Sequence, residues 1–233
     1  MSINPDFCFF HIQKCMGSSL RIMLYDYFIN IYKKEQIFIP EKCGNIKQNL
    51  SNKNDIVYFN KFDFKVILCH CSYNHKNITD SFSENCFSIT CVRNPIQRFL
   101  SHYNFFEKKK YNCNFFELND EDIMKLINGS ANLLTDVLSG QTKNIDDAIN
   151  NLKKINCILI TEKIDDDIIN LNMLLNKFTK TNNKINIIHK NVNNTDKILD
   201  KDLVKIQKYI KYFENDIYLY NYINNLTIDE RFK

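Results

Sequence analysis

The chain is poor in residues that bend or break a backbone, with 4 Gly and 3 Pro in 233 residues, while Asn, Ile and Lys are abundant. That bias runs through the whole sequence, so an individual Asn or Lys carries little information. Polar stretches such as Asn49 to Asn54 and Thr179 to Asn183 read as loops. No stretch of about 18 apolar residues occurs, which excludes a membrane-spanning helix. No basic region followed by an apolar stretch opens the chain, so no secretory signal is expected. Net charge is only +4, too mild for nucleic acid as a bulk partner but compatible with a local basic pocket for a small anion. The G-x-x-x-x-G-K-[ST] phosphate loop is also missing.

What is present is a globular composition, 44% hydrophobic and 13% aromatic. The length favours one domain, 1–233, with a sizeable core. The nine Cys are odd in number, and Cys8, Cys69, Cys91 and Cys157 lie inside apolar runs, where free thiols behave as small hydrophobes. Mostly reduced thiols and a reducing compartment are expected. Cys69-His70-Cys71 invites a zinc reading. Alternate residues of a strand share a face, however, so the two thiols would point away from His70, and no Cys-x-x-Cys pair completes a site. No metal is expected.

Phe7 to Ile12 reads as a buried strand, Gln13 to Ser18 as a tight loop, and Leu20, Met23, Leu24, Tyr27, Phe28 and Ile31 as the apolar face of a helix. Phe64 to Cys69 and Phe87 to Val92 are two more buried strands, ending at His70 and Arg93. Asn94-Pro95 then makes a helix start, Asn as cap and Pro at the first helical position. Residues 119 to 154 read as short helices, Cys157 to Ile160 as a strand followed by a helix to about Phe178, and Leu203 to Tyr220 as one long helix. The alternation predicts an α/β fold: a P-loop-like parallel sheet flanked by helices in three α/β/α layers. Ligands of such sheets bind beyond the carboxyl ends of the strands, where Lys14, His70 and Arg93 fall.

The loop from Gln13 to Ser19 feeds a helix N-terminus, whose unpaired N–H groups and dipole attract an anion. Gly17 allows close backbone approach, Ser18 and Ser19 offer hydroxyls, and Lys14 adds a full charge. The same segment can equally be an ordinary turn capped by Ser18. His11-Ile12-Gln13-Lys14-Cys15-Met16-Gly17-Ser18-Ser19 resembles the strand–H-I-P-K-T-G/A-G-T-S–helix loop of the Golgi-type carbohydrate sulfotransferases, the group containing heparan sulfate 2-O-sulfotransferase and the chondroitin sulfotransferases. It departs at Gln13, Cys15 and Met16; the last puts a side chain where the family keeps almost none. Arg93-Asn94-Pro95 through Arg98, Ser101 and Tyr103 resembles the family's R-D/N-P-x-x-R-x-x-S-x-Y motif, including the eight-residue step from Arg93 to Ser101. Arg93 and Ser101 can reach one phosphate, the Arg in a fork, and Arg98 is expected to brace the motif by a salt bridge. His70-Cys71-Ser72-Tyr73 is similar to the family's G-H-x-x-Y/F segment. Thr161-Glu162, the Asn-bearing loop Asn191 to Thr195, and Asp216-Ile217-Tyr218-Leu219-Tyr220 are weaker likenesses in the right order.

The resemblance implies a sulfotransferase that moves a sulfuryl group from 3′-phosphoadenosine 5′-phosphosulfate to a hydroxyl of a carbohydrate, releasing 3′-phosphoadenosine 5′-phosphate. Lys14, Cys15, Met16, Gly17, Ser18 and Ser19 would hold the 5′-phosphosulfate, and Arg93 and Ser101 the 3′-phosphate. Lys14 and His70 would be catalytic, His70 as base, since an imidazole titrates near neutral pH. His75 and His102 are alternatives, and His11 is expected to be structural. Implied partners are the donor nucleotide and a glycan or other hydroxyl-bearing acceptor, with neither nucleic acid nor a membrane span. Lys76 and Lys108 to Lys110 are basic residues that a polymer could use, and they read equally as solvated surface. The alternative is a catalytically degenerate nucleotide-binding or host-interaction protein of the same fold. A cytoplasmic location is expected from the missing signal, or the Golgi lumen if the N-terminus is incomplete.

Overall fold

Each apolar run picked out by sequence is a strand in the computed structural model, which describes residues 5–39, 63–69, 85–188 and 198–233. They are β1 (Phe7–Phe10), β3 (Val66–Cys69), β4 (Phe87–Val92) and β5 (Cys157–Ile160). A two-residue strand, β2 (Ile37–Phe38), is too short to leave a periodic signal. The five strands pair in parallel, in the order β2-β3-β1-β4-β5, and an isolated antiparallel bridge joins Cys157 to Phe232. From β1 the chain runs outward to β2 and β3; from β4 it runs the other way to β5. The direction of winding therefore reverses between β1 and β4, which opens a crevice beyond their carboxyl ends.

The sheet is covered on both faces. Helices α1 (Gly17–Phe28) and α7 (Ile164–Thr179) bury Leu20, Leu24, Ile168 and Leu171 against Phe7, Phe9, Ile89 and Leu159. On the opposite face α5 (Leu133–Leu138), α6 (Ile145–Leu152) and α9 (Glu214–Asn225) cover Val92, Ile158 and Ile160. A third cluster ties α2 (Pro95–His102) to α4 (Asp120–Ser130) and α8 (Asp200–Gln207) through Phe99, Phe115, Ile127 and Phe213. The fold is the expected three-layer α/β arrangement. The short helix α3 (Lys108–Tyr111) lies between α2 and α4, and α10 (Ile228–Arg231) closes the chain.

The long helix expected from Leu203 to Tyr220 is broken. It divides into α8, a 3-10 turn at Ile210–Phe213, and α9. The cause is a carboxamide wedge. Asn132 Nδ2 donates to the Tyr212 carbonyl at 2.9 Å, and its Oδ1 accepts from the Asp216 N–H at 3.1 Å. In an unbroken helix those two backbone groups would bond each other. The break also lets Phe213 join the cluster around α2 while Leu219 and Ile223 face the sheet.

The C-terminus is pinned by a buried ion pair. Arg231 grips Asp167 in a fork, at 2.7 and 2.9 Å, with the pair 5% and 1% exposed. Asp167 also accepts the Ile160 N–H at 2.7 Å, and Arg231 donates to the Ile158 carbonyl at 3.2 Å, so the pair bonds strand β5 as well. Arg231→Ala leaves a buried carboxylate without its partner and is expected to cost about 3–5 kcal/mol. Urea unfolding measures this, and an unchanged midpoint would show that the pair contributes nothing.

Candidate functional site

The turn from β1 into α1 is built on two left-handed residues, Lys14 at φ 65° and Met16 at φ 58°. Neither is glycine, and each such residue costs roughly 1–2 kcal/mol of steric strain. Cys15, between them, is buried in the core on the α5–α6 face, and its N–H bonds the Ile12 carbonyl at 3.3 Å. Met16 packs against the core on the α1 face. Consecutive residues thus anchor the turn to both sides of the sheet. Cys15, grouped with the donor-binding residues on sequence, acts in this geometry as an anchor. Burial pushes its thiol up to about 12, against the opposing pull of Arg98 and Arg93, so it is neutral at physiological pH.

Helix α1 starts at Gly17, with Met16 as its cap residue and no side-chain cap. Ser18 lies inside the helix, not at its cap. The ladder begins with the Leu20 N–H on the Met16 carbonyl at 3.0 Å, leaving the N–H groups of Gly17 and Ser18 outside it. Ser19 is buried and Ser18 half-buried. A Cβ on Gly17 would sit 1.6 Å from His11 Cδ2, so this glycine is required by the imidazole. His11 follows the strand instead of lying within it, and stacks on Phe9 at 5.9 Å between centroids.

At the end of β4, Asn94 caps α2 by accepting from Ile96 and Gln97 N–H, with Pro95 in the first turn, as the sequence predicts. Arg93 Nη1 donates to the Lys14 carbonyl at 3.3 Å, which joins the two turns across the crevice. Arg93 Nε is buried with no hydrogen-bond partner among the described residues. Ser101 is half-buried two turns along α2. Arg98 is fully buried and donates from Nη2 to the Ser130 carbonyl. The salt bridge expected of it is absent among the described residues. Asp216, the nearest carboxylate influence, is committed to capping α5 through Leu134 N–H, Thr135 N–H and Thr135 Oγ1.

The weaker downstream likenesses turn out to hold the β4–α2 turn. Thr161 Oγ1 donates to the Val92 carbonyl at 2.9 Å. Glu162 accepts the Asn94 N–H at 3.0 Å with one carboxylate oxygen and the Tyr220 hydroxyl at 3.1 Å with the other. Glu162 thus links the start of α2 to α9.

His70, His75, Lys76 and Asn191 to Thr195 lie outside the described residues. The strand that leads to His70 ends at Cys69, in register with Phe10 at the end of β1. His102, ranked below His70 on sequence, stands on α2 against Phe106, 4.9 Å between ring centroids. Its Nδ1 is buried without a hydrogen-bond partner among the described residues. Burial, then the cations Arg98 and Lys14, hold its pKa below the usual 6.5, with Glu107 opposing. Among the described residues no group of His, Cys, Asp and Glu could hold a metal ion, and no helix is long and apolar enough to cross a membrane.

No family model and no curated protein matches the chain. Among solved structures it is similar to a sulfotransferase from Alicyclobacillus acidocaldarius, at 13% identity and a TM-score of 0.47, over 97% of this chain and 98% of that one.

Two measurements test this geometry. Gly17→Ala is expected to destabilise by about 1–3 kcal/mol through overpacking against the imidazole, and adding His11→Ala should recover part of that loss; strictly additive losses would mean that the two do not touch. An NMR titration of the His102 ring should show a midpoint below 6.5 that rises in Lys14→Ala. Because the folded value lies below the unfolded one, His102 contributes stability above the unfolded value, and that contribution is lost as pH falls through the folded one. A midpoint unmoved by Lys14→Ala would separate the two residues.

Proposed function

We propose that this protein is a sulfotransferase that moves a sulfuryl group from 3′-phosphoadenosine 5′-phosphosulfate to a hydroxyl, with carbohydrate as the acceptor class. The observation that carries the reading is the Arg93–Lys14 contact at the reversal of the sheet. The two motifs that resemble a 5′ and a 3′ phosphate site meet across one crevice, as a nucleotide phosphorylated at both ends would need. The buried, unpartnered Arg93 Nε and the first-turn N–H groups of α1 fit an anionic ligand.

When bound, the donor supplies the sulfuryl group. His70 takes the proton of the acceptor hydroxyl as its oxygen becomes the nucleophile. Lys14 and the N–H groups of the α1 first turn meet the negative charge that develops on the leaving 5′ phosphate, a preorganised stabilisation on the order of 3 kcal/mol per well-placed donor. Arg93 and Ser101 hold the 3′-phosphate, and Glu162, through the Asn94 N–H, secures the turn that follows Arg93. A second reading, a catalytically degenerate nucleotide-binding or host-interaction protein, draws on Met16, a bulky residue kept in a left-handed conformation inside the loop.

Calorimetry with 3′-phosphoadenosine 5′-phosphate should detect binding, weakened at least tenfold in Arg93→Ala, since a hydrogen bond to a charged group contributes about 1.5–3 kcal/mol. Turnover should be lost in His70→Ala and Lys14→Ala. If both keep wild-type rates the assignment is wrong, binding without turnover favours the degenerate reading, and no binding favours an interaction protein.

A further inference from the structure

An aromatic pair is held out of the core beside Lys14. Beyond α2 the chain forms a π-helical turn, Tyr103–Glu107, in which the Lys108 N–H reaches back to the Tyr103 carbonyl. Such turns are rare and concentrate at functional sites. This one buries Tyr103 and Asn104 but leaves Phe105 and Phe106 exposed by 49% and 50%. Their rings meet edge to face, 4.7 Å between centroids, so each braces the other. The Lys14 ammonium sits over the Phe105 ring, 3.8 Å from its centroid, and lies 5.9 Å from that of Phe106. Phe105 is one helical turn beyond Ser101, and the Lys14 contact sets the pair beside the β1–α1 turn.

We propose that Phe105, braced by Phe106, is the platform on which the hydroxyl-bearing ring of the acceptor lies, and that Lys14 covers it until the donor is bound. The proposal rests on the sulfuryl-transfer reading of the Lys14 site. An aromatic face attracts a cation or the polarised C–H face of another ring, but it cannot serve both at once. The chemistry recognised is a ring with one flat apolar face, either a pyranose or a phenol. The charge of a phosphosulfate outcompetes an exposed cation–π contact, so donor binding draws Lys14 off Phe105. The donor therefore adds first and the acceptor second. The cover reduces acceptor affinity in the free protein by roughly two- to fivefold.

Saturation-transfer NMR on the full chain tests this, with 4-nitrophenol and an unsulfated chondroitin disaccharide as probes. Without nucleotide, Lys14→Ala should bind at least one probe about two- to fivefold more tightly than wild type. Adding Phe105→Ala should weaken that binding about tenfold, whereas adding Phe105→Tyr should preserve it. The probe that binds identifies the ring. Transfer to neither probe, or the same affinity with and without Phe105, overturns the platform. Wild type saturated with 3′-phosphoadenosine 5′-phosphate should match Lys14→Ala, and no gain over the nucleotide-free protein overturns the cover. Calorimetry of the nucleotide on the same samples reads the donor site separately. Its failure counts against sulfuryl transfer, while the nucleotide-free variants still decide the platform.

Discussion

The left-handed pair Lys14 and Met16 is the constraint around which the strand ends are arranged. Strained residues persist only where their surroundings over-determine them. Here the surroundings are distributed evenly. Cys15 is buried on one side of the sheet, Met16 packs on the other, Arg93 holds the Lys14 carbonyl from the next strand, and the His11 imidazole fills the space over Gly17. Burying an apolar side chain contributes about 1.5–3 kcal/mol, so the burial of Cys15 offsets part of the roughly 2–4 kcal/mol of strain in the two residues that flank it. The result is a loop whose backbone is ordered before any ligand arrives, so the cost of ordering it does not fall on binding.

A second tier of polar contacts secures the neighbouring turn from far along the chain. Asn132 breaks the last long helix so that Asp216 can cap α5 while Tyr220, one turn further, reaches Glu162. Glu162 in turn fixes the Asn94 N–H, next to Arg93. Residues from four separate stretches of the chain thus meet around the β4–α2 turn. The path consists of hydrogen bonds between rigid elements, each with one arrangement in the structure.

Much of this was legible in the sequence because it follows from periodicity and cap chemistry. The four long strands, the α1 face and the Asn94-Pro95 helix start need no tertiary context. The strand β2 was missed because two residues carry no period. The break before α9 was missed because its cause, Asn132, lies some eighty residues away, and Asn is too common in this chain to draw attention. The salt bridge expected of Arg98, absent among the described residues, is a similar case. Spacing brought the arginine to the motif, but only the fold shows that Asp216, the carboxylate whose charge acts on it, is already engaged at a helix end. The roles of Cys15 and Met16 depended on which way each side chain turns out of a left-handed backbone, and no one-dimensional pattern records that.

Arg98 adds a buried positive charge behind the β4–α2 turn that the net charge of the chain does not reveal. Its guanidinium is fully buried, with Nε and Nη1 unpartnered among the described residues, so it does not reach the crevice itself. Its charge still acts there, because a charge in a low-dielectric interior is screened far less than one in water. It lowers the pKa of His102 and opposes the upward push on Cys15. Arg93 adds a second cation at the same strand end, and Lys14 a third on the neighbouring turn. A net charge of +4 averages over the whole surface. Locally, Lys14 and Arg93 stand at the ends of neighbouring strands with Arg98 buried behind them, while the buried carboxylate Asp216 is turned toward the start of α5.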